Sequence, residues 1–236
     1  HNTVLVDGRN QTRYEWRKNR CKLSGPEPER TVAAFNSAPR FDYLHGIARS
    51  HEYPVVHERK VLFVNGEYWV IVDLMRAEDS HRYDLLFHLA PPAQGAVSLA
   101  VSHNTLSIHS LRLLLAQPLV STVSPSIEEG FVSTSYGKKE RAPIVQLTQH
   151  ASDTCFFTVV YPYKSDRPTI CIDGPEPDGV VEQLRDGHRA TLSIAIVHND
   201  GDQYRDDLVF IDRHVQVSRV DSDGRPLFSI RPNHDE

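Results

Sequence analysis

From Val4 onward the chain is a succession of short apolar runs that alternate in period two, each closed by a turn dipeptide. This pattern limits the fold more than anything else in the sequence. The clearest case is KVLFV, then Asn65-Gly66, then EYWVIVD. Asn-Gly suits a type I′ turn, in which both central residues take positive φ. A two-residue hairpin puts Val61, Phe63, Tyr68, Val70 and Val72 on one set of alternating positions and Leu62, Val64, Trp69 and Ile71 on the other. Both faces are apolar, which predicts a pair in mid-sheet with something packed on each side.

Other runs follow at steady intervals: YDLLFHLA, AVSLAVS, TLSIHSL, FVSTSYG, IVQLTQ, CFFTVVYPY, ATLSIAIVH, DLVFI, HVQVSRV and LFSI. Turn signals stand at Pro91-Pro92, Asp173-Gly174, Asp200-Gly201 and Asp223-Gly224. Leu192, Ile194 and Ile196 alternate with Thr191, Ser193 and Ala195, the half-buried antiparallel pattern. Residues 111–120 read either as one helical turn or as a buried strand, and Pro118 breaks any longer helix. Residues 9–40 are polar and mixed and read as a long loop, with one short strand around Cys21–Leu23. Strands at this spacing predict an all-β fold, a large antiparallel two-sheet β-sandwich over residues 1–236 as a single domain.

Composition narrows the function. The 236 residues carry a formal charge of −5 and no basic stripe, so nucleic acid is not an expected partner. No apolar run approaches the roughly 20 residues of a membrane span. Cys21, Cys155 and Cys171 show no CxxC spacing, so neither a disulfide framework nor a Cys-rich zinc site is expected; Cys155–Cys171 is the one bridge to check. The chain opens at His1 in front of a strand, which reads as the start of a C-terminal fragment of a longer protein. There is no G-x-S-x-G elbow, Walker loop or G-x-G-x-x-G. Glu128-Glu129 and Asp206-Asp207 are poor glycosidase pairs, because neighbours along a strand face opposite ways.

Four pieces in order carry a family resemblance. They are His1-Asn2-Thr3-Val4 leading to Val6-Asp7-Gly8 and Gln11; Phe41-Asp42-Tyr43 with His57-Glu58-Arg59-Lys60; Phe87-His88-Leu89-Ala90-Pro91; and Ser135-Tyr136-Gly137 with Ala142-Pro143 and Phe156–Pro162. Together they resemble the C-terminal part of the heparinase II/III-like polysaccharide lyases over about residues 1–165. The resemblance implies a parent enzyme with an upstream α/α toroid that cleaves uronic-acid glycans by β-elimination. It also implies a zinc ion in the sandwich, with His1 as one ligand and the others upstream, and a periplasmic or secreted location. The partner implied is an anionic polysaccharide, and the fragment alone is expected to be inactive, with no catalytic residue assigned in it. The alternative is a non-catalytic carbohydrate-binding or scaffold sandwich.

Candidate contacts to such a glycan are the loop aromatics Tyr14 and Trp16, which suit stacking on sugar rings. Asp42 and Tyr43 are candidates for the face toward the toroid. Arg49 and Arg59, with Lys60 and Arg82, are candidates to pair with carboxylate or sulfate. A second metal cluster of His51, His57, Asp42 and Glu52 is weighed against a structural role, and the structural role is preferred: His57 precedes a buried strand and suits a hydrogen-bonded core position.

Overall fold

A computed structural model describes residues 2–18, 20–174, 183, 189–211 and 213–231. In chain order the strands are β1 (Val4–Val6), β2 (Tyr14–Arg17), β3 (Arg20–Leu23), β4 (Glu29–Ala38), β5 (Phe41–Arg49), β6 (Val56–Val64), β7 (Tyr68–Arg76) and β8 (His81–His88). After a 3-10 turn at Pro91–Ala93 come β9 (Ser98–Ser102), β10 (Thr105–Ser110), β11 (Leu113–Pro118), β12 (Ser124–Val132), β13 (Glu140–Ala151) and β14 (Thr154–Pro162). The last are β15 (Thr169–Asp173), β16 (Arg189–Val197), β17 (Gln203–Ile211), β18 (His214–Asp221) and β19 (Pro226–Ile230).

The fold is the expected all-β antiparallel sandwich, and it has an additional layer. The central sheet has eight strands in the order β4-β5-β6-β7-β14-β11-β10-β9. The five-stranded sheet β15-β16-β17-β18-β19 covers one of its faces, and the four-stranded sheet β1-β8-β13-β12 covers part of the other. Two cores result. The larger joins Leu62, Val70, Val72 and Phe157 of the central sheet to Ile194, Leu208 and Phe210. The smaller joins Met75, Ile108, Leu115 and Phe156 to Val6, Leu85 and Leu147. Burying one such side chain fully stabilises by about 1.5–3 kcal/mol. Residues 111–120 resolve to the buried strand β11, because Leu114, Leu115 and Ala116 lie in the sheet between β14 and β10.

The hairpin at Asn65-Gly66 forms with both φ values positive, +50° and +73°. Its face assignment differs from the sequence expectation. The turn closes by Glu67 N–H donating to Val64 O at 2.9 Å, yet the ladder begins with Val64 opposite Tyr68. Glu67 is therefore an extra residue, and one extra residue turns every following side chain to the other face. Leu62 and Val64 thus share the inner face with Tyr68, Val70 and Val72, while Phe63 stacks on Trp69 outside, ring centroids 4.5 Å apart. No atom stands near a Cβ placed on Gly66, so Gly66→Ala tests backbone conformation alone. It is expected to cost about 1–2 kcal/mol in urea unfolding.

The loop expected at residues 9–40 is corrected. It holds β3, the short strand expected around Cys21–Leu23, and in addition β2 and the ten-residue β4. The hairpin β2–β3 is exposed along its length, so burial imposes no alternation on it. In β4 the register shifts between Val32 and Ala34, which breaks the period-two signal. The three cysteines are free, so no Cys155–Cys171 bridge forms. Among the described residues no helix is long and apolar enough to cross a membrane. The terminal residues 232–236 lie outside the described residues.

Candidate functional site

The four-stranded sheet leaves the β5–β6 part of the central sheet uncovered, and a pocket of about 370 Å³ lies there. Leu44, Ile47 and Val61 form its apolar wall, Arg30 and Val32 of β4 stand on one side, and Gln11, His57 and Arg59 are on the other.

The pocket is built on a charge that the strand pattern hides. Asp73 interrupts the apolar run of β7 and is fully buried. Arg59 is its direct cross-strand partner and binds it with a fork: Nε donates to Oδ1 at 2.6 Å and Nη2 to Oδ2 at 3.0 Å. His57 Nε2 donates to Oδ1 at 2.6 Å, and the Gln11 amide donates to His57 Nδ1 at 3.2 Å. Burial acts to raise the Asp73 pKa, but Arg59 and His57 outweigh it and hold the carboxyl below its ordinary value.

The third nitrogen of Arg59 donates to the Asn2 carbonyl at 2.7 Å. Asn2 Oδ1 accepts from the His88 backbone N–H at 2.7 Å, and Thr3 O from Leu86 N–H at 3.0 Å. The lead-in to β1 is therefore tied to the buried carboxylate. His88 also bears on whether a metal suits this neighbourhood. Its Nδ1 is buried without a hydrogen-bond partner, and burial lowers the imidazole pKa toward the neutral form that binds zinc. Among the described residues no three His, Cys, Asp or Glu side chains converge as a metal cage. His1 lies outside the described residues.

The candidates drawn from the sequence separate. Tyr14 and Trp16 stand on β2, 55 % and 78 % exposed. Asp42 is exposed on β5 and accepts from Ser37 Oγ at 2.5 Å. Tyr43 is corrected: as the next residue along the strand it points the other way, into the larger core, and offers no surface to a ligand. Lys60 is buried as well, its Nζ 3.5 Å from the Tyr43 hydroxyl. Arg59 lines the pocket, but Asp73 and Asn2 occupy its guanidinium, so it positions the chain instead of waiting for a substrate. Arg49 is exposed at the end of β5, outside the pocket lining, and Arg82 pairs with Asp84 at 3.0 Å. His57 is the hydrogen-bonded core residue, and His51 is exposed. Sequence reasoning passed over Asp73. The signal that could have found it is a lone carboxylate between Val72 and Leu74 in a run that must be buried.

Comparison with known proteins follows the same outline. A family model described as "Heparinase II/III-like, C-terminal" matches residues 1–173. No curated protein sequence matches the chain. Among solved structures, the heparan sulfate lyase HepC of Pedobacter heparinus is similar, with a TM-score of 0.65 and 18 % identity over 91 % of this chain and 30 % of that one. A structure titled heparinase III is also similar, with a TM-score of 0.58 and 14 % identity over 89 % of this chain and 29 % of that one. The chain thus spans about 30 % of the length of these lyases.

Proposed function

Because the chain belongs to the heparinase II/III-like C-terminal family, we propose that it is the β-sandwich part of a polysaccharide lyase that cleaves uronic-acid-containing glycans by β-elimination. The observation that carries this reading is the extent of the family match. Residues 1–173 take in every strand of the two sheets that form the pocket and its surroundings. The similar solved proteins, named for heparan sulfate and heparin cleavage, support the same substrate class.

In this reading the base and acid of the elimination come from an upstream α/α toroid, and the sandwich closes one side of the cleft with its uncovered sheet face. Zinc belongs to the same proposal. His1, next in sequence to the anchored Asn2, would supply one ligand, and the remaining ligands would come from the preceding part of the longer protein. The ion would act as a structural clasp between the two parts. The glycan is an external polymer, so the parent works in the periplasm or outside the cell.

The test uses the longer parent protein and this chain side by side on heparan sulfate and on alginate. The parent is expected to raise the absorbance of unsaturated uronate and to hold about one zinc, which His1→Ala removes; the chain alone is expected to be inactive. Lyase activity in the chain alone would overturn the assignment of the chemistry to the toroid. A parent that binds these glycans without cleaving them would replace the lyase with a carbohydrate-binding scaffold.

A further inference from the structure

Between Arg9 and Lys22 the sequence has six cations and one carboxylate, in a chain whose formal charge is −5. The structure turns most of this segment into the exposed hairpin β2–β3. Its base is pinned beside the pocket: Ser24 N–H donates to Arg13 O at 3.0 Å, Arg13 Nε lies 3.6 Å from Glu52, and Ser50 Oγ donates to Gln11 O at 2.8 Å. Gln11 lines the pocket, so the hairpin rises from its rim.

The pairing sorts the side chains. Tyr14 opposite Leu23 and Trp16 opposite Cys21 alternate with Glu15 opposite Lys22 and Arg17 opposite Arg20. One face of the ribbon is therefore aromatic and the other charged. On the charged face Arg17 uses Glu15, its Nη2 2.9 Å from Oε2. Among the described residues Lys18, Arg20 and Lys22 form no ion pair. Arg20 instead stands directly across from Arg17, and like charges in opposed positions destabilise a strand pair. Lys18 adds a third cation at the tip and takes a left-handed φ of +49° there. An isolated two-stranded hairpin is marginal in water, and a tip loaded with unpaired cations makes it more so unless an anion sits between them.

We propose that the charged face of β2–β3 is a binding finger for the sulfate or carboxylate groups of an anionic polysaccharide, with Arg17, Arg20 and Lys22 as its contacts. Guanidinium forks match sulfate and carboxylate oxygens bidentately. The finger would hold the polymer where it leaves the pocket rim. This deepens the polysaccharide reading above and names residues that the reading does not use.

The experiment is heparin binding by the whole chain as a function of salt, comparing wild type with Arg17→Glu/Arg20→Glu. Arg141→Glu/Arg225→Glu, at exposed positions on β13 and in the β18–β19 connection, is the control of equal charge change. Neither pair is buried, and an unchanged melting temperature checks the fold. The hairpin variant is expected to bind at least about tenfold more weakly and to lose about two counterions from the salt slope, with the control within about twofold of wild type. Equal affinity in the hairpin variant, an equal loss in the control, or no heparin binding by wild type would each overturn the proposal. Lyase activity of the parent is read separately, so an active parent with an indifferent hairpin sinks the finger and leaves the polysaccharide reading standing.

Discussion

Arg219→Ala is expected to lower the stability of the chain by about 3–5 kcal/mol, read from the urea midpoint. Arg219 on β18 lies opposite Asp206 on β17 and binds it with both arms, Nε to Oδ1 and Nη2 to Oδ2, each at 2.7 Å. Its Nη1 donates to Glu67 Oε1 at 2.9 Å. The Tyr68 hydroxyl donates to Asp206 Oδ2 at 2.5 Å, and the Tyr204 hydroxyl to Glu67 Oε2 at 2.6 Å. The guanidinium also lies over the Tyr204 ring, 3.8 Å from its centroid. Glu67 and Tyr68 belong to the central-sheet hairpin, whereas Asp206, Tyr204 and Arg219 belong to the five-stranded sheet. The network therefore clamps one layer to the other.

Truncating the arginine leaves Asp206, with no exposed surface, as an uncompensated charge in the core. Removing both ends should cost much less, because a well-packed apolar pair is often no worse than a buried ion pair. A double-mutant cycle with Arg219→Met and Asp206→Leu should show strong coupling; additive losses would mean that the two do not act as a unit. Glu67 adds a pH signature. Burial acts to raise its pKa, but hydrogen bonds from Arg219, Tyr204 and Asn65 win and leave it lowered. The lowered pKa contributes stability at pH above the ordinary 4.5, and this is lost as pH falls through the folded value.

Asp73→Ala is the second large loss, again about 3–5 kcal/mol. It strands Arg59 and His57 together, without the carboxylate that both of them bind. Asp73 shows the same acid dependence, since its folded pKa lies below the ordinary 3.8. The stability it contributes is complete at pH well above that value and disappears as pH drops through the folded pKa. Asp73→Asn keeps the shape and removes the charge, so it should flatten this part of the acid limb. A local effect accompanies the global one. Arg59 no longer fixes the Asn2 carbonyl, and the His88 amide that donates to Asn2 Oδ1 should exchange faster with solvent. Unchanged exchange at His88 would break the link drawn here between the buried carboxylate and the start of β1.

Much of the architecture was legible because it rests on local chemistry. Asn65-Gly66 takes the turn it was expected to take, and the strands from KVLFV to LFSI lie where alternation put them except at FVSTSYG, where the strand β12 is Ser124–Val132 and ends two residues into the run. The family resemblance, carried on four short pieces, stands on a match over residues 1–173. The candidate site was legible only in fragments. Gln11 and Arg59 were in view as motif residues, but the carboxylate that ties Arg59 to His57, the partner of Gln11, lies on another strand. Tyr14 and Trp16 were noticed as aromatics in a loop. Their place on a ribbon, with cations on its opposite face, depends on a pairing between residues 14–17 and 20–23 that burial does not impose.

What the sequence determined by itself, then, is the strand content, the turns and the antiparallel plan, because turn dihedrals and side-chain alternation are properties of a few adjacent residues. Only the tertiary structure decided which face of each strand is covered. Glu67, one residue between turn and ladder, moves Tyr68, Val70 and Val72 to the side of Leu62 and Val64. The same kind of parity sends Tyr43 into the core while Asp42 stays at the surface. The facing of Arg59 and Asp73 across β6 and β7 follows from that register too. Period-two patterning marks two faces on every strand, but which sheet packs on which face is settled by pairings between residues far apart in the chain.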